Sequence, residues 1–258
     1  MLIFIISGQS RTSPFSHLNR NMSILDSYNK YIFTDELKNT YDYKVYITTD
    51  DIHLKNTIDY FGKNIGNIHL LNTGYYMKNV DNEINDVNIF MDKYLNKDFN
   101  GYDKYENSIY QHHKILDCYN LYVHDNKHRD INNDIIIRMR LDTIFHSDIM
   151  NNLKLLQENT TYQIIMHWDF FAIGKYSIMK EYCNGLNNNY GNYNFNADLS
   201  NINNPLICMP YHYKTLGRKM STYCPEVQLF EILFEYCNNN NLNINEALIP
   251  INICKILR

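Results

Sequence analysis

The run at residues 134–141, Asp-Ile-Ile-Ile-Arg-Met-Arg-Leu, constrains the fold of this chain most. Ile135, Ile136 and Ile137 are apolar in succession, so a strand built here needs cover on both faces, as a central strand between two layers of helix does. Alternate residues of a strand share a face, so Arg138, Arg140 and Asp142 project one way and Ile137, Met139 and Leu141 the other. Fixed positive charge and a carboxylate thus line up where the strand ends. In α/β proteins ligands bind at the carboxyl ends of the strands, and Asp142 falls there on this reading.

The rest of the chain fits around such a strand. Residues 2–6, 45–48 and 68–71 are short apolar runs that read as strands, and residues 15–37 carry helical spacing through Leu18, Met22, Leu25 and Tyr28. Strand, helix, strand favours a parallel sheet. A helix from Ser108 puts Gln111, Ile115, Cys118 and Tyr122 on one face. A fifth apolar run, 162–167, leads into Trp168, Asp169 and Phe170; a helix then follows through Met179 and Tyr182, and residues 184–204 read as a loop. Pro225 opens a helix that buries Val227, Phe230, Leu233, Phe234 and Cys237, and the apolar run 249–253 closes the chain. With no internal repeat and no Pro, Gly or Ser-rich linker, residues 1–258 read as a single α/β domain with a mostly parallel sheet flanked by helices.

Bulk properties remove several functions. The net charge of -4 is spread over the chain with no run of lysine or arginine, so the electrostatic footprint of nucleic-acid binding is missing. The six cysteines (118, 183, 208, 224, 237 and 254) include no CxxC pair, which favours free thiols in a reducing compartment over a zinc module or a disulfide framework. The apolar start, residues 1–6, lacks a basic leader and reads as a first strand, and no stretch approaches the roughly 20 apolar residues of a membrane span. A stable membrane anchor is not expected.

Candidate chemistry follows strand ends and helix starts. Asp142 could hold Mg²⁺ or Mn²⁺ against a diphosphate, since hard cations take oxygen ligands, and Arg138 and Arg140 either bind phosphate or balance Asp142 in a structural ion-pair cluster. The turn Ser7, Gly8, Gln9, Ser10, Arg11, Thr12 follows the first strand; its backbone N–H groups and Arg11 either meet a nucleotide or form a turn only. Asp50 and Asp51, after Thr48 and Thr49, either accept hydrogen bonds from a base or ribose or cap a helix. His112 and His113 point about 100° apart on a helix with no partner at i+4, which argues against metal ligation. Gln111 and Lys114 on that helix either point toward the sheet's end or stay solvated. Asp169 stands among aromatics, an arrangement that suits a sugar, or else caps the next helix. Glu226 at a helix start is either a general base kept ionised by the helix dipole or a stabiliser of that helix.

In order along the chain, SGQSRT at 7–12, IIIRMRLDTIF at 135–145, HWDFFAIGKYSIM at 167–179 and CPEVQLFEILFEYC at 224–237 resemble glycosyltransferases of giant DNA viruses and bacterial enzymes of capsular or lipopolysaccharide synthesis. The resemblance implies the nucleotide-sugar transferase fold called GT-A, a Rossmann-like sheet with a nucleotide-binding half at about 1–145 and an acceptor-side half at about 146–258. It implies a nucleotide-sugar donor, UDP-linked in first preference, a glycan or glycoprotein acceptor, and work in the cytoplasm, that of the host if the chain is viral. In that fold a DxD motif binds a divalent metal and the donor diphosphate. Here Arg140, Leu141 and Asp142 stand in its place, so the first aspartate is missing and Arg140 is expected to replace part of the cation's charge. The same resemblance puts Gly8 and Arg11 on the nucleotide, Asp50 or Asp51 on the base, Asp169 at the acceptor, and Glu226 in the place of the catalytic base. Two other readings are a sugar nucleotidyltransferase, and a degenerate transferase fold kept as a binding or virion-surface module.

Overall fold

Runs of isoleucine, leucine, phenylalanine and valine bury the centre of this protein on both faces. The structure, a computed structural model, describes residues 1–8, 24–49, 65–70, 105–167, 170–189 and 225–256. Among them, strands β1 (Leu2–Ser7), β2 (Tyr43–Thr49), β3 (Ile65–Leu70), β4 (Ile135–Arg140), β6 (Ile164–His167), β7 (Phe171–Lys175) and β8 (Leu248–Pro250) form a seven-stranded sheet in the order β3-β2-β1-β4-β7-β6-β8. The parallel register sets Leu2 beside Tyr43 and Ile135, and Ser7 beside Thr48 and Arg140. β1 is buried along its whole length, and β4 from Ile136 to Met139, as central strands should be.

The sheet is mixed, which corrects the mostly parallel sheet expected. β7 runs antiparallel to both β4 and β6. The sequence hid this strand because the chain reverses between His167 and Phe171 with none of the glycine, proline or asparagine that marks a hairpin, so the segment reads as the aromatic tail of β6.

Alternation along the strands sorts the core into two layers. One face carries Ile3, Ile5, Tyr46, Ile136 and Ala172 and packs on α3 (Tyr105–Asp125), α5 (Tyr176–Asn189) and α6 (Pro225–Asn239). From α3 come Ile115, Cys118 and Tyr122, the face expected from the sequence. The other face carries Leu2, Phe4, Ile6, Val45, Ile137, Met139 and Ile173 under α1 (Ile24–Tyr31), α2 (Asp35–Thr40) and α4 (Met150–Glu158). The helix expected over 15–37 is in fact broken after α1: Thr34 takes extended backbone, and its hydroxyl accepts from the Leu37 N–H at 3.1 Å to start α2. Residues 15–23 lie outside the described set. The start of the expected loop, 184–189, is helical instead, because Gly185 lets α5 lie against Ile232 of α6. A short helix α7 (Ile244–Ala247) precedes β8.

At the amino end of β4, Asp134 is 3% exposed and accepts from Tyr122 Oη at 2.7 Å and from Arg129 Nη1 at 3.1 Å and Nη2, with the Met1 amino group 3.6 Å away. At the carboxyl end the chain turns through Leu141 and Asp142 into β5 (Thr143–Phe145), which pairs antiparallel with β9 (Cys254–Ile256). Strands this short leave no pattern to read in a sequence. Among the described residues no helix is long and apolar enough to cross a membrane, and Cys118, Cys183, Cys237 and Cys254 are buried thiols in no disulfide.

Candidate functional site at the carboxyl ends of β1 and β4

β1 lies between β2 and β4, so chain order reverses across it. Such a switch point leaves a crevice outside the carboxyl ends of the two strands that diverge there. Register fills that crevice: Ser7 ends β1 between Thr48 of β2 and Arg140 of β4, and Gly8 follows at φ +132°, where side chains are strained. An added Cβ at Gly8 would come no nearer than 4.0 Å to Leu141 N, so the backbone conformation rather than space demands glycine. Ser7 Oγ is buried without a hydrogen-bond partner among the described residues.

Arg140 and Asp142 meet in a fork. Arg140 Nε donates to Asp142 Oδ1 and Nη2 to Oδ2, both at 2.7 Å. Two further contacts hold the arginine: Tyr28 Oη donates to its carbonyl at 2.7 Å, and its guanidinium carbon lies 6.0 Å from the centre of the Phe170 ring. The Asp142 side chain is 4% exposed and that of Arg140 17%, so the guanidinium is the more accessible partner.

This geometry bears on the divalent ion the sequence suggests. Both Asp142 oxygens accept from Arg140, and each such charge-assisted bond is worth about 1.5–3 kcal/mol. A divalent ion at Asp142 would break them and then sit against the guanidinium, where repulsion at about 4 Å is on the order of 4 kcal/mol per unit charge near a protein surface. Among the described residues no three His, Cys, Asp or Glu side chains are grouped to hold a metal. The described residues therefore do not fit a hard-cation site.

Arg138, on the same face of β4, is fully buried under α3 and α5 with Ile5 and Ala172 as its strand neighbours. It lies one layer below Arg140. Its charge is felt on both helices: burial first, then Arg138, pushes His112 on α3 down to about 3, while Arg138 partly offsets the rise that burial causes in the Cys183 thiol on α5. His112 is thus a neutral imidazole beneath the crevice. Lys114 is 7% exposed, which corrects the solvated alternative for this side chain. α3 is also stitched to the end of β2, since Thr48 Oγ1 donates to Asp117 Oδ2 at 3.2 Å and Cys118 Sγ to the Tyr46 carbonyl at 3.1 Å.

The structure therefore brings together Ser7, Gly8, Arg140 and Asp142, with Arg138 below them. Arg11, Asp50, Asp51 and Asp169 lie outside the described residues, and Gln111 and Glu226 belong to α3 and α6 without a described side chain. Sequence reasoning missed Tyr28, Asp117 and the contact of Cys254 Sγ with His167 Nδ1 at 3.3 Å. All three are long-range meetings with no local pattern. No protein-family model, curated protein or solved structure matches this chain.

Proposed function

We propose that this protein is a nucleotide-sugar-dependent glycosyltransferase with a GT-A-type domain, transferring a sugar from a nucleoside diphosphate donor, UDP-linked in first preference, to a hydroxyl of a glycan or protein. One observation carries the reading: the end of β1, with Gly8 at positive φ, stands beside the Arg140–Asp142 fork at the switch point of the sheet. A guanidinium fixed at a strand end suits a diphosphate that must be bound and must leave carrying negative charge. In the reaction the acceptor hydroxyl gives its proton to a carboxylate, Asp169 or Glu226 being the candidates. Its oxygen bonds to the anomeric carbon, and the bond from that carbon to the diphosphate breaks.

The test is thermal unfolding of the full chain with UDP, GDP, CMP and TDP, because a ligand that binds only the native state raises its stability. One of these nucleotides is expected to raise Tm by several degrees, and its sugar conjugate to be turned over with loss of rate in Asp169→Asn or Glu226→Gln. The engagement of both Asp142 oxygens by Arg140 favours, as a second reading, a binding module without turnover. Nucleotide binding with no release of sugar from any conjugate would select it.

A further inference from the structure

We propose that Ser7 is a ligand-binding residue that lowers the stability of the free protein: its hydroxyl is buried without a partner and is matched by an oxygen of the bound nucleotide. The proposal rests on the transferase reading and goes beyond it by naming which buried group that ligand satisfies. By alternation Ser7 follows Ile3 and Ile5 onto the face of the sheet under α3, and it is fully buried there. Its register neighbours are Thr48 of β2 and Arg140 of β4. Buried hydroxyls that serve this fold are bonded. Ser27 Oγ donates to the Ile24 carbonyl at 2.7 Å and accepts from the Phe145 N–H at 3.2 Å, and Thr48 Oγ1 donates to Asp117 Oδ2 at 3.2 Å. Ser7 Oγ and Thr143 Oγ1, by contrast, have no hydrogen-bond partner among the described residues.

The two differ in what else the side chain contributes. Thr143 is β-branched and carries a methyl group, both of which suit a buried strand such as β5. At Ser7 the hydroxyl is all that distinguishes the side chain from alanine, and an enclosed hydroxyl without a partner opposes folding, because the water it gave up is not replaced. Ser7 also stands where a ligand can replace that water. Gly8, next in the chain, is partly exposed, and the Arg140 side chain is 17% exposed, so the hydroxyl lies one residue below the surface at the switch point of the sheet. A nucleotide brings ribose and phosphate oxygens, and either kind accepts from a serine hydroxyl.

The experiment compares the full-length wild type with Ser7→Ala, by thermal unfolding without ligand and by calorimetric titration with UDP, GDP, CMP and TDP, with and without Mn²⁺. Ser7→Ala is expected to raise the Tm of the free protein by about 2–4 °C and to weaken the nucleotide that binds by at least about tenfold. Thr143→Val removes the other unpartnered hydroxyl, and is expected to raise Tm by a similar amount while leaving Kd within about twofold. Pyrophosphate and the free nucleoside, titrated in parallel, locate the partner: a loss confined to pyrophosphate assigns a phosphate oxygen, and one confined to the nucleoside a ribose oxygen. An unchanged nucleotide Kd in Ser7→Ala would overturn this inference and leave the transferase reading standing. So would a Tm that stays level or falls, since the hydroxyl would then have a partner, ordered water, in the free protein. No binding of any nucleotide by the wild type would overturn both.

Discussion

β4 carries an arginine and aspartate pair at each end, and the two pairs share their chemistry but not their surroundings. At the amino end Asp134 is saturated: Tyr122, Arg129 and the Met1 amino group converge on one carboxylate. Nothing there is arranged for a ligand, and the cluster fastens α3 and the start of β1 to β4. At the carboxyl end Asp142 has Arg140 alone as its named partner, and that arginine stands at the mouth of the crevice between β1 and β4. The same ion pair is a fastener when its charges are enclosed by other donors; at the switch point, on the function proposed above, it is instead a recognition device.

The comparison breaks most readily at the closed end. Asp134→Ala leaves Arg129 and Tyr122 facing an uncompensated buried site and is expected to cost about 3–5 kcal/mol in urea unfolding, whereas Asp142→Ala, which takes the carboxylate from a partly accessible arginine, is expected to cost about 1–3 kcal/mol. Equal costs would mean that the Arg140–Asp142 pair is as structural as its counterpart. A packing change away from both pairs calibrates these numbers. In Gly185→Ala the new methyl would lie 2.6 Å from Ile232 Cγ2, so overpacking of α5 against α6 should lower stability by about 1–3 kcal/mol while leaving nucleotide binding in place.

The open end should also carry an acid-side penalty. The folded value of His112 is pushed from 6.5 down to about 3, chiefly by burial and then by Arg138, so below the upper value the unfolded chain takes up a proton that the folded chain refuses. Stability is then fully present above that upper value and is lost as pH falls through the window, by as much as about 1.4 kcal/mol per pH unit. His112→Gln should flatten this slope in unfolding measured from about pH 7 to about pH 5. An unchanged slope would show that His112 does not sit neutral beneath the arginines. The smallest effect is expected for Tyr28→Phe, which removes the hydroxyl that donates to the Arg140 carbonyl: about 1 kcal/mol by thermal unfolding, with a larger proportional loss in nucleotide affinity if that bond helps to aim the guanidinium.

Much of the architecture is legible because it is local. Apolar runs mark β1, β2, β4 and β6, the spacing of Ile115, Cys118 and Tyr122 marks the buried face of α3, and Pro225 marks the start of α6. The break between α1 and α2 hinged on a single cap at Thr34, and β7 on a reversal without glycine, proline or asparagine. Neither alters hydrophobic period enough to be seen from the sequence.

For the candidate site, the sequence by itself determined that Arg138, Arg140 and Asp142 share one face at the end of a central strand, since alternation is a property of extended backbone. It could not rank the two arginines. That came from the layers of helix: α3 and α5 close over Arg138, while Arg140, two residues on, stays partly exposed beside Ser7 at the switch point of the sheet. Nor could it say whether Asp142 would face a metal ion or a guanidinium. A carboxylate takes whichever cation the fold brings within reach, and here the turn through Leu141 brings Arg140.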